Sequence, residues 1–305
     1  MDRTDRKQVL RLFDQINVWK RGAQRAPHKP LLLLYALSKC ARDGERKILY
    51  AEVDEKLKPL LEEFGPTRKS HHTEYPFWRL QNDGIWVVSD ADKLERRSSN
   101  TDAKKSELLK HAVSGGFSEP IFQALRQDPQ LLLNVASLLL EKNFPTSLHD
   151  DICLAVGLQK DLLAAINRPR RDPDFRPRVL TAYSYRCAVC SFDMRLGQHT
   201  VGLEAAHIKW YQAGGPDTVN NGLALCVMHH KLLDLGVFTV SDGRQIQISD
   251  RVHGYHGPDE WIFRYHGKSL SSPQSPDDLP HPAFLHWHQR EVFKGSPRFL
   301  EYPES

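Results

Sequence analysis

The chain has 305 residues and sets 42 Lys+Arg against 38 Asp+Glu, a formal net charge of only +4, with 40% apolar and 26% charged residues. That composition fits a globular protein of two ordinary domains and excludes a disordered or collagenous chain. The longest apolar run, Leu31 to Leu37, has seven residues, well short of the about 20 that a membrane helix needs, so no membrane partner is expected.

Residues 5–19 place Val9, Leu12, Phe13, Ile16 and Trp19 at helical spacing. Pro27 to Pro30 breaks that helix and starts a second, largely buried one from Leu31 to Ala41. A short strand, Ile48 to Tyr50, leads into a third helix that Gly65-Pro66 stops after Phe64. Phe77 to Leu80 and Ile85 to Val88 flank Asp83-Gly84, which predicts a β-hairpin and a winged-helix-like layout. Asp92 to Ser106 reads as a loop. Helices follow from Ser118 to Arg126, from Asp128-Pro129 to Lys142, and from His149 to Val156. Residues 158–174, rich in Pro and Arg, are the linker. Beyond it come a helix from Phe175 to Tyr183, a strand through Ala206, a short helix opened by Cys226, and strands near Phe238 and Gln245. Residues 251–305 form a proline-rich tail with one helix, Pro282 to Phe293, packed on residues 175–250.

The two halves differ in kind. Residues 1–150 hold 25 basic and 21 acidic side chains while residues 151–305 hold 17 of each, so the net charge lies in the first half. Ten of the 15 His and the Cys187, Cys190 and Cys226 cluster lie in the second. Met1 to Gln8 is charged and lacks the apolar stretch of a secretory signal, so a cytoplasmic location is expected. There a cysteine cluster reads as a metal site before it reads as a disulfide frame.

Cys187-x2-Cys190 and Cys226-x2-His229 are two ligand pairs with 35 residues between them. Each knuckle can aim two side chains at one ion, and four tetrahedral N/S donors suit a structural Zn²⁺. Cys40 and Cys153, each alone in an apolar helix, read as buried thiols. His230 and Asp234 are i and i+4 on one helix, share a face, and suit a second divalent ion, Mg²⁺, Mn²⁺ or another of similar chemistry.

Around these ligands, Leu203-Glu-Ala-Ala-His207, Asn221-Gly-Leu-Ala-Leu-Cys226 and His229-His230-Lys-Leu-Leu-Asp234 resemble the HNH endonuclease family and its ββα-metal fold. The run from Asp172 to Cys187 resembles the lead-in of its restriction-type members. The resemblance covers about residues 172–245. It implies His207 as the general base, Asn221 as the residue that holds the loop and orients His207 through side-chain hydrogen bonds, and His230 with Asp234 on the catalytic ion. Many relatives carry Asp or His directly before the base; here that position is Ala206, and Glu204, two residues earlier, is the candidate replacement.

In the first half, Pro27 to Leu37, Tyr75 to Leu80, Ser114 to Ser118 and Asn143 to His149 resemble the sulfur-binding domain of phosphorothioate-dependent restriction endonucleases, a family that joins this domain to a C-terminal HNH module. The chemistry agrees: sulfur in place of a non-bridging phosphate oxygen is larger and less hydrated, so an apolar cup accepts it at lower desolvation cost. The resemblance implies His28, Tyr75, Pro76 and Arg79 around the sulfur, with Lys29, Arg68 and His71 for backbone or base contacts. Arg168, Arg170, Arg171, Arg176 and Arg178 either track DNA or serve a soluble linker.

The expected architecture is therefore α+β: a mainly helical N-terminal reader with a β-hairpin over residues 1–157, and a C-terminal zinc-stabilised ββα-metal HNH nuclease over residues 175–250. The expected partner is phosphorothioate-modified double-stranded DNA. An HNH enzyme that reads a methylated base, or a non-catalytic zinc-containing DNA-binding regulator, are the alternatives. Oligomeric state stays open; a homodimer is the simplest way for one-strand sites to cut a duplex.

Overall fold

The computed structural model describes residues 3–18, 24–98, 102–158 and 172–299. The chain divides into two compact units, Met1–Gly22 with Ala26–Arg168, and Ala23–Arg25 with Pro169–Ser305. Most of the Pro/Arg linker, with Arg168, Arg170 and Arg171, lies outside the described residues. No described helix is long and apolar enough to cross a membrane.

The first unit is built on helix α2 (His28–Arg42), in which every residue from Pro30 to Cys40 is buried. A helix apolar on all sides must lie inside its domain. Accordingly α1 (Arg3–Asp14), α3 (Tyr50–Phe64), α4 (Glu74–Arg79), α6 (Glu119–Gln127), α7 (Pro129–Asn143) and α8 (His149–Val156) complete a helical shell with α5 (Lys105–Lys110). Asp128 caps α7 by accepting from the Leu131 amide, and its other contact, from Arg6, ties α1 to that cap. Lys39, the one buried lysine among the described residues, is satisfied by Glu45 at 2.9 Å and by Asp43 and Glu52 at 3.2 Å. Burial pushes the Cys40 thiol up to about 11 and the Cys153 thiol up to about 12, which leaves both unreactive.

Strands β1 (Lys47–Leu49), β2 (Trp86–Val88) and β3 (Ser114–Phe117) form an antiparallel sheet in the order β1-β3-β2. The hairpin across Asp83-Gly84 does not form. Glu74, Phe77 and Trp78 are buried at i, i+3 and i+4, a helical face, so Phe77 and Trp78 belong to α4 and not to a strand. Gly84, at φ 74°, closes the 3-10 turn Leu80–Asp83 instead. The partner of β2 is β3, which returns after a long excursion; α5 begins at Lys105, at the very end of the segment from Asp92 to Ser106 that was expected as a loop. Two glycines let β3 fit: a Cβ on Gly116 would lie 1.7 Å from the Arg46 carbonyl oxygen, and one on Gly115 would lie 2.7 Å from the Phe77 ring.

In the second unit, β6 (Leu203–His207) pairs antiparallel with β7 (Gly222–Cys226), in register from Leu203 opposite Cys226 to His207 opposite Gly222. The Val227–Asp234 helix follows at once, and the Phe175–Ala182 helix packs on the strand pair. This is a ββα unit with an added helix. A Cβ on Gly222 would meet Val179 at 2.5 Å, so that glycine admits the added helix. Strands β4 (Arg195–Leu196) and β5 (His199–Thr200) form a small hairpin that sequence patterning missed, because two-residue strands carry no period. Strands β8 (Phe238–Val240) and β9 (Ile246–Ile248) form another. Ile262, Leu270 and Leu285 from residues 251–299 enter the same core. Trp287 meets Trp210 edge to face at 5.9 Å. His288 is a core histidine: one nitrogen meets Thr239 Oγ1 at 2.8 Å and the other donates to the Leu233 carbonyl at 3.1 Å.

Candidate active site and nucleic-acid interface

Four side chains converge at the start of the Val227–Asp234 helix. The donor atoms of Cys187, Cys190, Cys226 and His229 all lie within 4.8 Å of one another. His229 Nδ1 is 3.1 Å from Cys226 Sγ and 3.6 Å from Cys187 Sγ, and Cys190 Sγ is 4.0 Å from Cys226 Sγ. Tetrahedral Zn–S bonds of about 2.3 Å put neighbouring sulfurs about 3.8 Å apart, so the donor set fits zinc. His229 Nε2 donates to the Trp261 carbonyl at 3.0 Å. That bond places the ring proton on Nε2 and turns Nδ1 toward the thiols, fixing the tautomer and orientation that a metal-binding imidazole needs. Hydrogen bonds from Cys190 and Cys226 hold the Cys187 thiol well below its ordinary range.

His207 ends β6 and is 8% exposed. Its ring stacks on Phe175, with centroids 4.1 Å apart and planes at 16°. Nε2 donates to Asp217 Oδ1 at 2.7 Å. Asn221 is fully buried. Its Oδ1 accepts from the Lys209 amide at 2.9 Å, and its Nδ2 donates to the Lys209 and Pro216 carbonyls at 3.0 and 2.9 Å. These bonds close the loop between β6 and β7. They go to loop backbone, so the side-chain bond to His207 comes from Asp217 and not from Asn221.

His230 lies between two carboxylates. Glu204 Oε2 meets its Nδ1 at 2.6 Å and Asp234 Oδ2 meets its Nε2 at 3.2 Å. Burial opposes a charged imidazole here, but the Asp234 and Glu204 contacts outweigh it and push His230 up to about 9. The donor types, two carboxylates and an imidazole, suit a hard divalent ion. Each carboxylate takes one ring nitrogen, so an ion held through His230 would have to replace one of these two shared protons. Ala206 is fully buried in the core beneath, and Glu204 is the β6 side chain that reaches the helix. Arg176 donates to the Leu203 carbonyl at 2.9 Å, and Arg178 donates to Asp172 and to the Asp217 carbonyl, both at 2.8 Å, so both are tied to this unit.

In the first unit, Tyr75 stands at the start of α4 with two arginines and a histidine on its ring. Arg79 lies over its ring at 4.5 Å and Arg97 at 5.0 Å, and His72 stacks on it at 5.0 Å. Arg97 donates to the Tyr75 hydroxyl at 3.0 Å and to Glu74 at 2.9 Å, and Arg79 is held by Asp102 at 2.6 Å. Pro76, in the first turn of α4, is buried. His28 begins α2; burial first, then the nearby His71, Arg68 and His72, bring it down to about 4, so it is neutral at cellular pH. Arg68 is exposed and His71 half-buried. Lys29 is engaged by Asp83 at 2.5 Å with only 12% of its side chain exposed, and links α2 to the turn after α4. Arg97, His72 and Asp217 were not singled out from sequence. Arg97 and Asp217 come in from loops 22 and 10 residues away from their partners, separations that no local rule fixes, whereas His72 lies just before α4, three residues from Tyr75.

The family described as ScoMcrA-like, DNA sulfur-binding domain, matches residues 6–161, and the HNH endonuclease family matches residues 187–241. The second unit thus carries an HNH-type DNA endonuclease domain. The sulfur-binding domain of ScoMcrA, solved with phosphorothioated DNA, is 25% identical with a TM-score of 0.44, over 50% of this chain and 97% of that one. The type IV phosphorothioation-dependent restriction endonuclease ScoMcrA is 24% identical with a TM-score of 0.44, over 53% of this chain and 35% of that one. The sulfur-binding domain of SprMcrA, also solved with phosphorothioated DNA, is 22% identical with a TM-score of 0.41, over 52% of this chain and 95% of that one. No curated protein matches the chain.

Proposed function

The chain belongs to the family of ScoMcrA-like DNA sulfur-binding domains, and from that membership we propose that it is a restriction endonuclease that binds phosphorothioate-modified double-stranded DNA through residues 1–157 and hydrolyses phosphodiesters nearby through residues 175–250. The observation that carries this reading is the union in one chain of a sulfur-binding match over residues 6–161 and an HNH match over residues 187–241.

The sulfur is received at Tyr75 and Pro76, where the aromatic face and the pyrrolidine ring supply apolar surface. Arg79 and Arg97 lie over the Tyr75 ring; His28, at the start of α2, completes the inner set of this reading, while Lys29, Arg68 and His71 are the outer candidates. An apolar surface inside a cationic rim distinguishes sulfur from oxygen without giving up attraction to the phosphate charge.

In the nuclease unit, His207 takes the proton of the attacking water, the task of a neutral imidazole in general-base catalysis. Asn221 holds the loop that faces His207. His230 with Asp234 or Glu204 would hold a divalent ion, Mg²⁺ or Mn²⁺, which when bound stabilises charge on the phosphate and on the leaving 3′ oxygen. Cys187, Cys190, Cys226 and His229 would hold a structural Zn²⁺, whose binding energy would be folding energy. The soluble two-domain enzyme acts in the cytoplasm, and a homodimer would let two such sites cut both strands.

The test is cleavage of matched plasmids, one phosphorothioated and one plain, with Mg²⁺ or Mn²⁺. Cutting of the modified plasmid alone supports the reading; equal cutting of both, or of neither, overturns it. His207→Ala abolishes cutting and leaves DNA binding intact.

A further inference from the structure

The loop between β6 and β7 carries a group that the reading above leaves without a role. Residues 208–221 leave His207 and return to Gly222 directly opposite it. Asn221, at the end of this loop, is tied to its start through Lys209 and to its interior through the Pro216 carbonyl, and Arg178 ties the next carbonyl, that of Asp217. The loop closes tightly enough that a Cβ on Gly215 would lie 1.8 Å from the Lys209 carbonyl oxygen. Two of these restraints hold Asp217 or the residue before it, and the Asp217 side chain, 17% exposed, sets its carboxylate 2.7 Å from His207 Nε2.

We propose that Asp217 is the positioning residue of the general base: it fixes the His207 imidazole with its hydrogen on Nε2, and so makes Nδ1 the nitrogen that accepts the proton of the attacking water. A carboxylate can only accept a hydrogen bond, so the neutral imidazole facing it must donate from Nε2, and the lone pair is left on Nδ1. Stacking on Phe175 sets the plane of the ring; the Asp217 bond sets its rotation within that plane. In the step itself, the water proton moves to Nδ1, the water oxygen forms a bond to phosphorus, and the bond from phosphorus to the 3′ oxygen breaks with its electron pair on that oxygen, which is protonated by solvent. The imidazolium left on His207 is stabilised by the adjacent carboxylate, the logic by which a buried Asp supports a catalytic His elsewhere. Asn221 then acts at one remove, by holding the loop that presents Asp217.

The inference rests on His207 being the base, and the experiment separates the two. Full-length, zinc-loaded wild type, Asp217→Asn, Asp217→Glu and His207→Ala are compared on phosphorothioated duplex DNA with Mg²⁺, with kcat, KM, DNA affinity, zinc content and melting temperature read for each. Asp217→Asn is expected to lower kcat roughly 10- to 100-fold at unchanged KM, and Asp217→Glu to restore part of the loss. Wild-type kcat in Asp217→Asn beside an inactive His207→Ala overturns the role of Asp217 alone. Wild-type cutting by His207→Ala overturns the base and this inference together. A loss in Asp217→Asn that follows zinc content or DNA affinity, and that Asp217→Glu does not relieve, assigns Asp217 to structure and also overturns the proposal.

Discussion

Glu204, near the start of β6, reaches across to the helix behind it and meets His230 Nδ1 at 2.6 Å. The HNH pattern carries Ala206 where many relatives place a ligand, and this contact brings a carboxylate to the same helix from two residues earlier. If Glu204 helps to hold the divalent ion, Glu204→Gln removes a charge from the donor set without removing volume. The Mg²⁺ concentration for half-maximal cleavage should then rise roughly tenfold, while zinc content stays at one per chain. An unchanged Mg²⁺ dependence would exclude Glu204 from the ion's surroundings.

The zinc cluster should be needed for folding and not for chemistry. Cys226→Ala breaks a donor set whose atoms lie within 4.8 Å, and metal binding there is coupled to folding. The expected result is loss of zinc with a lower melting temperature and a melt of the second unit in isolation from the first. Metal analysis and a thermal scan check it; a zinc-free variant that melts as the wild type does would sink the assignment.

Tyr75 carries two arginines and a histidine on its ring in the first unit. Tyr75→Ala removes the aromatic face that Arg79 and Arg97 cover. The ratio of affinities for phosphorothioated and plain DNA should fall roughly tenfold, the equivalent of about 1.4 kcal/mol, with less change in affinity for plain DNA. Arg97→Ala should act in the same direction. Competition binding with the two DNAs measures the ratio, and equal losses on both would make Tyr75 a general DNA contact.

Acid should weaken the first unit. His28 takes a proton near 6.5 when unfolded but only near 4 when folded, because burial and the neighbouring His71, Arg68 and His72 disfavour its charge. Between those values the unfolded chain binds more protons, so stability falls as pH drops from 6.5 toward 4. His288, lowered to about 4 by its burial, adds in the same direction in the second unit. Melting temperatures at about pH 7.5 and about pH 5 should therefore differ less in His28→Asn than in the wild type. An identical difference would contradict a neutral His28.

Gly116 tests the sheet. A Cβ there would lie 1.7 Å from the Arg46 carbonyl oxygen, a backbone atom that cannot move aside without shifting β1. Gly116→Ala should cost about 3 kcal/mol in urea unfolding, whereas Gly84→Asn, at a turn with open space around it, should cost far less.

The chain itself determined the helices and the ligand chemistry. Leu31 to Leu37 is apolar at every position and, started by Pro27 to Pro30, reads as an interior helix. Cys-x2-Cys and Cys-x2-His pair their donors through local geometry, and His230 with Asp234 share a helix face by their spacing alone. Such features are legible because the physical rule acts over three or four residues. What tertiary structure decided lies at longer range. Glu74, Phe77 and Trp78 became one face of a helix, and β2 found its partner in β3, because burial on α2 outweighed the turn signal at Asp83-Gly84. Arg97 was placed on Tyr75, Glu204 on His230 and Asp217 on His207 by the paths of loops and by strand register. The modest net charge of the first half says little about DNA by itself. Its meaning comes from Arg79, Arg97 and His72 gathered on one aromatic ring, an arrangement that composition cannot encode, since charge counts carry no positions and folding supplies them.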